Sequence, residues 1–401
     1  MNRDQFLQKQ WQAYPDLPKD RSSWWFGRVL SIGETHWELS HGGQSQSFDV
    51  IDLVQTQDPE LGISVLLDGL RPGDSVAVHK DTKHIFLLAP CFEPYKITSF
   101  DEEWNQFVET LRGDFLSRGF LQIQTPFLVT SPGVDHHIDS FQVCDEGGHV
   151  ISRLPTSPEI ALKKKLCQGQ DKIFEIKSCF RNDLAGAHHR KEFTMLEWYR
   201  AFATLEDLQQ DLQSLFEKLS ASFQLQLPPL KASTMSEQWR QQLGHELRPE
   251  TSLAELKTLA AAQSIEWSPD DDWNDLFFRI FMEKVEPRLG LDAPLLLFNF
   301  PPQQASLAKI SKEGWAQRFE LYWQGVELAN AYQEVNHPEE NRSRFLNENH
   351  LRQSRGSKAS PLDESFFTAL RQGMPPSAGI ALGMDRLFML LRGQEQIHSL
   401  F

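Results

Sequence analysis

The chain has 401 residues, 40% hydrophobic and 24% charged, which excludes a disordered polymer and leaves room for two or three domains. Its formal net charge of −15 is opposite to that of a chain built chiefly to clamp nucleic acid. No apolar run reaches the ~20 residues of a membrane helix, and Met1-Asn2-Arg3-Asp4-Gln5 lacks an apolar export signal. Cys91, Cys144, Cys167 and Cys179 show neither CxxC nor Cys/His spacing, so no zinc site or disulfide framework is expected, and a cytoplasmic setting is.

Residues 1–95 predict a small OB-like β domain. Short apolar runs (Trp24–Phe26, Val50–Val54, Ser75–Val78) alternate with turn signals such as His41-Gly42-Gly43 and Arg71-Pro72-Gly73-Asp74. Ala89 to Pro94 reads as the linker, and residues 96–401 as the second domain. There Trp104, Phe107, Val108, Leu111 and Phe115 recur at helical spacing, and Gly119 ends that helix before an extended stretch to Thr125-Pro126. Lys172–Phe180 and Phe193–Tyr199 predict an antiparallel pair joined by the loop Asp183–Lys191. Residues 204–220, 252–263, 272–286 and 338–355 predict helices. The end is a glycine-bearing strand, Gly379–Gly383, then a helix, Met384–Leu391.

Three segments carry chemistry. In the first, period-2 geometry sets Phe193, Met195, Glu197 and Tyr199 on one strand face, an apolar body with polar tips suited to a cationic amine. Its loop offers His188, His189, Arg190 and Lys191 to a polyphosphate, and Arg181 stands where a guanidinium can bridge carboxylate and phosphate. In the second, Gln324–Glu334, Glu327 and Glu334 suggest Mg²⁺. An unbroken strand would send those two carboxylates to opposite faces. A bulge between Leu328 and Ala331 is therefore expected, with Asn330-Ala331 the favoured place. In the third, Gly379 and Gly383 allow close approach of a ligand ring, Asp385 anchors the helix start, and Arg386 can point at a phosphate.

In this order the segments resemble the class II aminoacyl-tRNA synthetase core, with motif 1 at 101–126, motif 2 at 180–200 and motif 3 at 377–391. The similarity covers about residues 100–401. Thr156-Ser157-Pro158-Glu159, Glu192–Tyr199 and Glu327-Leu328-Ala329-Asn330 resemble the lysyl-type members, above all the lysyl-tRNA synthetase paralogues that attach (R)-β-lysine to elongation factor P. The resemblance implies an α+β fold with a six-to-seven-stranded antiparallel sheet, dimerising through 101–126, and an AMP-forming ligase using ATP and Mg²⁺.

By the same resemblance, Arg181 contacts the α-phosphate and the amino-acid carboxylate, Phe193 stacks on adenine, and Arg386 binds the far phosphates. Asn182, Asp183, His189, Arg190, Leu328 and Gly383 complete the nucleotide site. Glu327 and Glu334 match the metal pair. Ser157, Glu159, Glu197, Tyr199, Asn330 and Glu334 match the pocket for a lysine-like amino acid. Asp183 stands for a usual Glu, Arg190 for Asn, Lys191 for Pro and Tyr332 for Phe. The protein acceptor is favoured over tRNA because residues 1–95 carry eight Lys and Arg against thirteen Asp and Glu. Ala381 also stands where tRNA-charging members usually have Gly. A lysyl-tRNA synthetase and an inactive synthetase-like binding protein are the alternatives.

Overall fold

The computed structural model describes residues 21–33, 36–41, 44–49, 70–83, 85–89, 91, 100–133, 135, 137–182 and 186–399. The chain divides into two compact units, Met1–Glu103 and Trp104–Phe401. That division falls eight residues beyond the expected 95/96 boundary, inside the first long helix.

The N-terminal unit carries β1 (Trp24–Ile32), β2 (His36–His41), β3 (Gln44–Asp49), β4 (Ser75–His79) and β5 (Ile85–Ala89), paired antiparallel in the order β3-β2-β1-β4-β5. Val29, Trp37, Leu39, Phe48, Val76 and Val78 are buried together, as alternation along half-buried strands requires. The Arg71–Asp74 turn is closed by buried Asp74, whose carboxylate accepts from Arg71 N–H at 2.9 Å and Cys91 N–H at 2.6 Å. The run Val50–Val54, the glycines of the His41 turn and most of the expected linker lie outside the described residues.

The second unit is built on an eight-stranded sheet. Its strands are β6 (Leu121–Gln122), β9 (Lys172–Phe180), β10 (Glu192–Ala201), β11 (Lys231–Thr234), β12 (Leu295–Phe300), β13 (Ala316–Trp323), β14 (Val326–Gln333) and β15 (Ser377–Gly383), in the order β11-β12-β13-β14-β15-β10-β9-β6. The six central strands are antiparallel; β11 and β6 add parallel edges, which makes eight where six or seven are expected. A separate hairpin pairs β7 (Gln142–Cys144) with β8 (Val150–Arg153).

Helix α1 (Phe100–Ser117) buries Phe107, Leu111 and Phe115, four apart on one stripe. The Phe115 ring stacks on Phe174 of β9 and meets Trp198 of β10 edge-on, both at 5.0 Å. Helix α3 (Leu205–Phe223) starts at a Thr204/Asp207 capping box and buries Leu208, Leu212, Leu215, Phe216 and Leu219. The other helices are α2 (Glu159–Cys167), α4 (Met235–Leu243), α5 (Leu253–Ala262), α6 (Trp273–Ile280), α7 (Pro338–Ser354), α8 (Glu364–Gly373) and α9 (Met384–Leu391). Helix α6 runs into a π turn, Phe281–Val285, so the expected helix 272–286 keeps its length but changes its winding. Sequence periodicity left α2, α4, α8, β7, β8 and β11–β13 unpredicted.

The strand register creates the cleft. One row across the sheet reads Glu320, Asn330, Ala381, Glu197; the next reads Arg318, Tyr332, Gly379, Tyr199. From Gly379 onward the central strand β15 presents only Gly379, Ala381 and Gly383 on this face. A trough opens along it, with charged and phenolic side chains from β10, β13 and β14 as walls.

Candidate active site

The trough is part of a cleft of about 1120 Å³, ample for an amino acid and a nucleotide together. At one end Tyr199 Oη donates to Glu197 Oε1 at 2.7 Å. Burial and neighbouring carboxylates push both the Glu197 carboxyl and the Tyr199 phenol well up. Glu334 is 1% exposed, and its Oε2 lies 2.5 Å from Lys163 Nζ. Ser157 and Glu159 line the same end, where the Glu159 N–H donates to Ser157 Oγ at 3.3 Å at the start of α2. Glu197 Oε2, Glu334 Oε1 and Asn330 Oδ1 are buried acceptors with no hydrogen-bond partner among the described residues, and Glu334 Oε2 meets Lys163 as an ion pair without a hydrogen bond. Buried polar atoms are rarely left so, and an ammonium supplies three donors.

The other end gathers cations. The Arg181 guanidinium lies 5.0 Å over the Phe193 ring, and its buried Nε has no partner among the described residues. Arg386, in the first turn of α9, donates to Glu327 O at 2.8 Å, to His188 O at 3.1 Å and to His189 Nε2 at 2.9 Å. Burial and nearby Arg181 pull the Arg386 guanidinium below its ordinary value. Arg190 approaches Asp385 at 3.8 Å. Asp385 does not cap its own helix: its Oδ2 accepts from Thr194 N–H at 2.6 Å and pins the start of β10 to α9.

The β13–β14 hairpin turns at Gln324-Gly325, both at positive φ (52° and 74°) as a tight hairpin needs. Leu321 faces Ala329 while Tyr322 faces Glu327, so Leu328 is the extra residue of a bulge. The bulge therefore lies at the edge of the expected 328–331 window, two residues before the favoured Asn330. Asn330-Ala331 is regular against both neighbouring strands. The shift brings Glu327 into the cleft, where Glu334 also lies.

Even so, the two carboxylates serve different ends. The charges acting on Glu334 are Lys163, Glu159 and Lys309. Glu327 acts on Glu320, Glu286 and Arg386. Glu334 is ion-paired with Lys163 at the carboxylate end, while Glu327 shares the other end with Glu320 and Glu286. Burial and Glu327 raise Glu286 to about 7.

Of the other expected site residues, Leu328 and Gly383 line the cleft with those above. Asn182 is not among the lining residues; its N–H donates to Asp139 O at 2.8 Å and its Oδ1 accepts from Lys191. Asp183 lies outside the described residues. Lys163, Arg318, Glu286 and Glu320 were missed. Arg318 and Glu320 were legible, since alternation through Arg318-Phe319-Glu320-Leu321-Tyr322 into the Gln324-Gly325 turn predicts a strand with one polar face. Arg318 ion-pairs with Glu320, and its guanidinium lies 4.3 Å over Phe300.

The sheet, its carboxylate pocket and the two arginines lie in the part of the chain that is similar to class II synthetase-like ligases. The chain belongs to the family of class II tRNA synthetases (D, K and N), which it matches over residues 103–401. It is 36% identical over 302 residues to the elongation factor P–(R)-β-lysine ligase homolog of Aquifex aeolicus, covering 75% of this chain and 98% of that one. It is 34% identical over 311 residues to the elongation factor P–(R)-β-lysine ligase of Proteus mirabilis, covering 73% and 90%. To the protein of that name from Photorhabdus laumondii it is 35% identical over 306 residues, covering 72% and 89%.

Proposed function

We propose that the chain activates lysine or (R)-β-lysine with ATP and transfers the aminoacyl group to a lysine of elongation factor P. The observation that carries this reading is the set of three unpartnered, buried acceptor oxygens facing one pocket, beside two cleft arginines. Glu197, Glu334 and Asn330 receive the substrate's side-chain ammonium. Arg181 steadies the substrate carboxylate and the α-phosphate while that carboxylate attacks phosphorus and pyrophosphate leaves. Arg386 and His189 hold the departing phosphates, Arg190 and Gly383 border the nucleotide, and Phe193 offers its ring to adenine. An acceptor amine then attacks the acyl carbon and AMP leaves. Catalysis comes from positioning and fixed positive charge.

Among the described residues no three acidic, His or Cys side chains are close enough to form a metal cage. Mg²⁺ commonly takes one or two carboxylates and completes its shell with substrate phosphates and water. Glu320 and Glu327 fit that role, and an ion there would neutralise phosphate charge.

The five-stranded N-terminal sheet supports an OB-like domain, with residues 96–401 as the catalytic core. The acidic balance of residues 1–95 weighs against RNA, and the names of the relatives favour a protein acceptor. Free cysteines fit a cytoplasmic setting, and no described helix is long and apolar enough to cross a membrane. A homodimer through 101–126 completes the reading. The test is transfer of labelled lysine or β-lysine into purified elongation factor P or tRNA; label in tRNA alone would replace the acceptor.

A further inference from the structure

Lys163 is fully buried. Its Nζ lies 2.6 Å from Glu159 Oε1, one helical turn earlier on α2, and 2.5 Å from Glu334 Oε2, across the cleft on the chain leaving β14. A buried lysine without partners tends to give up its proton. Here Glu159 and Glu334 outweigh that tendency and hold the ammonium charged. Both carboxylates also line the cleft. The protein's own ammonium therefore sits behind two carboxylates of the pocket that the proposed reading assigns to a substrate ammonium.

We propose that Lys163 is a positioning residue that sets amino-acid specificity, a built-in ammonium occupying one oxygen of Glu159 and one of Glu334. Two consequences follow from the geometry. Glu159 and Glu334 are kept together in a buried space where, unbridged, they would repel. With Oε2 in ion-pair contact with Lys163, Glu334 offers Oε1 to a ligand ammonium, which completes its shell at Glu197 and Asn330. The helical i,i+4 spacing of Glu159 and Lys163 makes this a feature of α2 rather than of a mobile loop. Lys163 contacts Glu159 and Glu334, the carboxylates assigned to the amino acid, so its effect should fall there.

This inference rests on the lysine-activating reading, and the experiment separates the two. ATP–pyrophosphate exchange is measured on the full chain, varying lysine and then ATP, for wild type, Lys163→Met and Lys163→Ala. Lysine KM is expected to rise about 10- to 100-fold in both variants, with ATP KM changed by about twofold or less. Added n-propylammonium, which replaces the deleted atoms and charge, is expected to restore lysine KM in Lys163→Ala, while n-propanol is not. Should the variants lose their fold, propylammonium is expected to return folded enzyme with low lysine KM during refolding of Lys163→Ala. An unchanged lysine KM, an equal rise in both KM values, equal rescue by propanol, or failed refolding with propylammonium would overturn the role. Wild type lacking exchange with both lysine and β-lysine would overturn the underlying reading and this inference with it.

Discussion

A methyl group on Gly379 would stand 2.2 Å from Tyr199 Cε1 and 2.7 Å from Glu334 Oε1. The missing side chain lets the phenol and the carboxylate close over β15. Gly379→Ala should therefore displace both and raise amino-acid KM about tenfold, leaving ATP KM nearly unchanged. Arg181→Ala and Arg386→Ala should each lower exchange about 100-fold or more, with the thermal midpoint nearly kept, because each removes fixed charge from developing phosphate charge. Near-normal exchange in either variant would reject the assignment. Glu286 titrates from 4.5 in the unfolded chain to about 7 in the fold. The fold binds its proton more tightly, so this group lowers stability as pH rises from 4.5 to 7. Glu286→Gln should stabilise the nucleotide-free protein near pH 8 by up to about 1–2 kcal/mol, discounted for its partial exposure. Near pH 4 it should change nothing, and melting curves at the two pH values check the difference.

Elements meet through polar groups as well as rings. Asp211 of α3 lies 2.5 Å from Arg118, just beyond α1, and accepts from Arg200 at 3.2 Å and Trp198 Nε1 at 3.1 Å, both on β10. Arg118 also holds Asp114 of α1 at 2.8 Å. Burial pushes Asp211 upward in pKa while these partners oppose it. Asp211→Ala would leave buried Trp198 Nε1 unpaired while Arg118 keeps Asp114 and Arg200 keeps Asp207, and should cost about 1–3 kcal/mol, read as a lower urea midpoint. A loss below about 1 kcal/mol would mean the network is solvated in practice. The β13–β14 hairpin carries a different lesson. Its bulge falls at Leu328, beside the turn, because register is set by pairing with β13; a single strand's sequence holds only the parity argument.

At the scale of the molecule, the cleft exists because β10, β14 and β15 pair side by side although β15 follows β14 only after α7 and α8. On another surface, Leu116, Leu121, Phe127, Leu128, Val150 and Ile151 are each 44–63% exposed. The Val129–Arg153 bridge brings the 127–129 segment against β8. Exposed apolar side chains beside that bridge are candidates for burial against a second copy, and they adjoin in sequence the 101–126 segment expected to dimerise. Leu128→Glu with Ile151→Glu should turn a light-scattering dimer into a monomer at micromolar concentration; a monomeric wild type would remove the premise.

Much of the catalytic unit was legible in the residues. Alternation through Phe193–Tyr199, the Gly379–Gly383 strand and Arg181 and Arg386 at its margins marked both ends of the cleft, because period and residue chemistry are local properties. Periodicity also found α1, α3, α5, α7 and α9, whose apolar stripes or polar faces are long. Short or fully buried elements such as α2 and β12 showed no such contrast. Lys163 is one of three consecutive lysines, indistinguishable by sequence from its half-buried neighbours. Glu334 read as paired with Glu327 because spacing counts residues and ignores what lies across the sheet. Only the packing of α2 against the end of β14 made Lys163 its partner, and only the β13 register made Glu320 the neighbour of Glu327. Sequence thus determined which chemical groups the site contains, while tertiary structure decided which of them meet, since burial and pairing across strands depend on residues far apart in the chain.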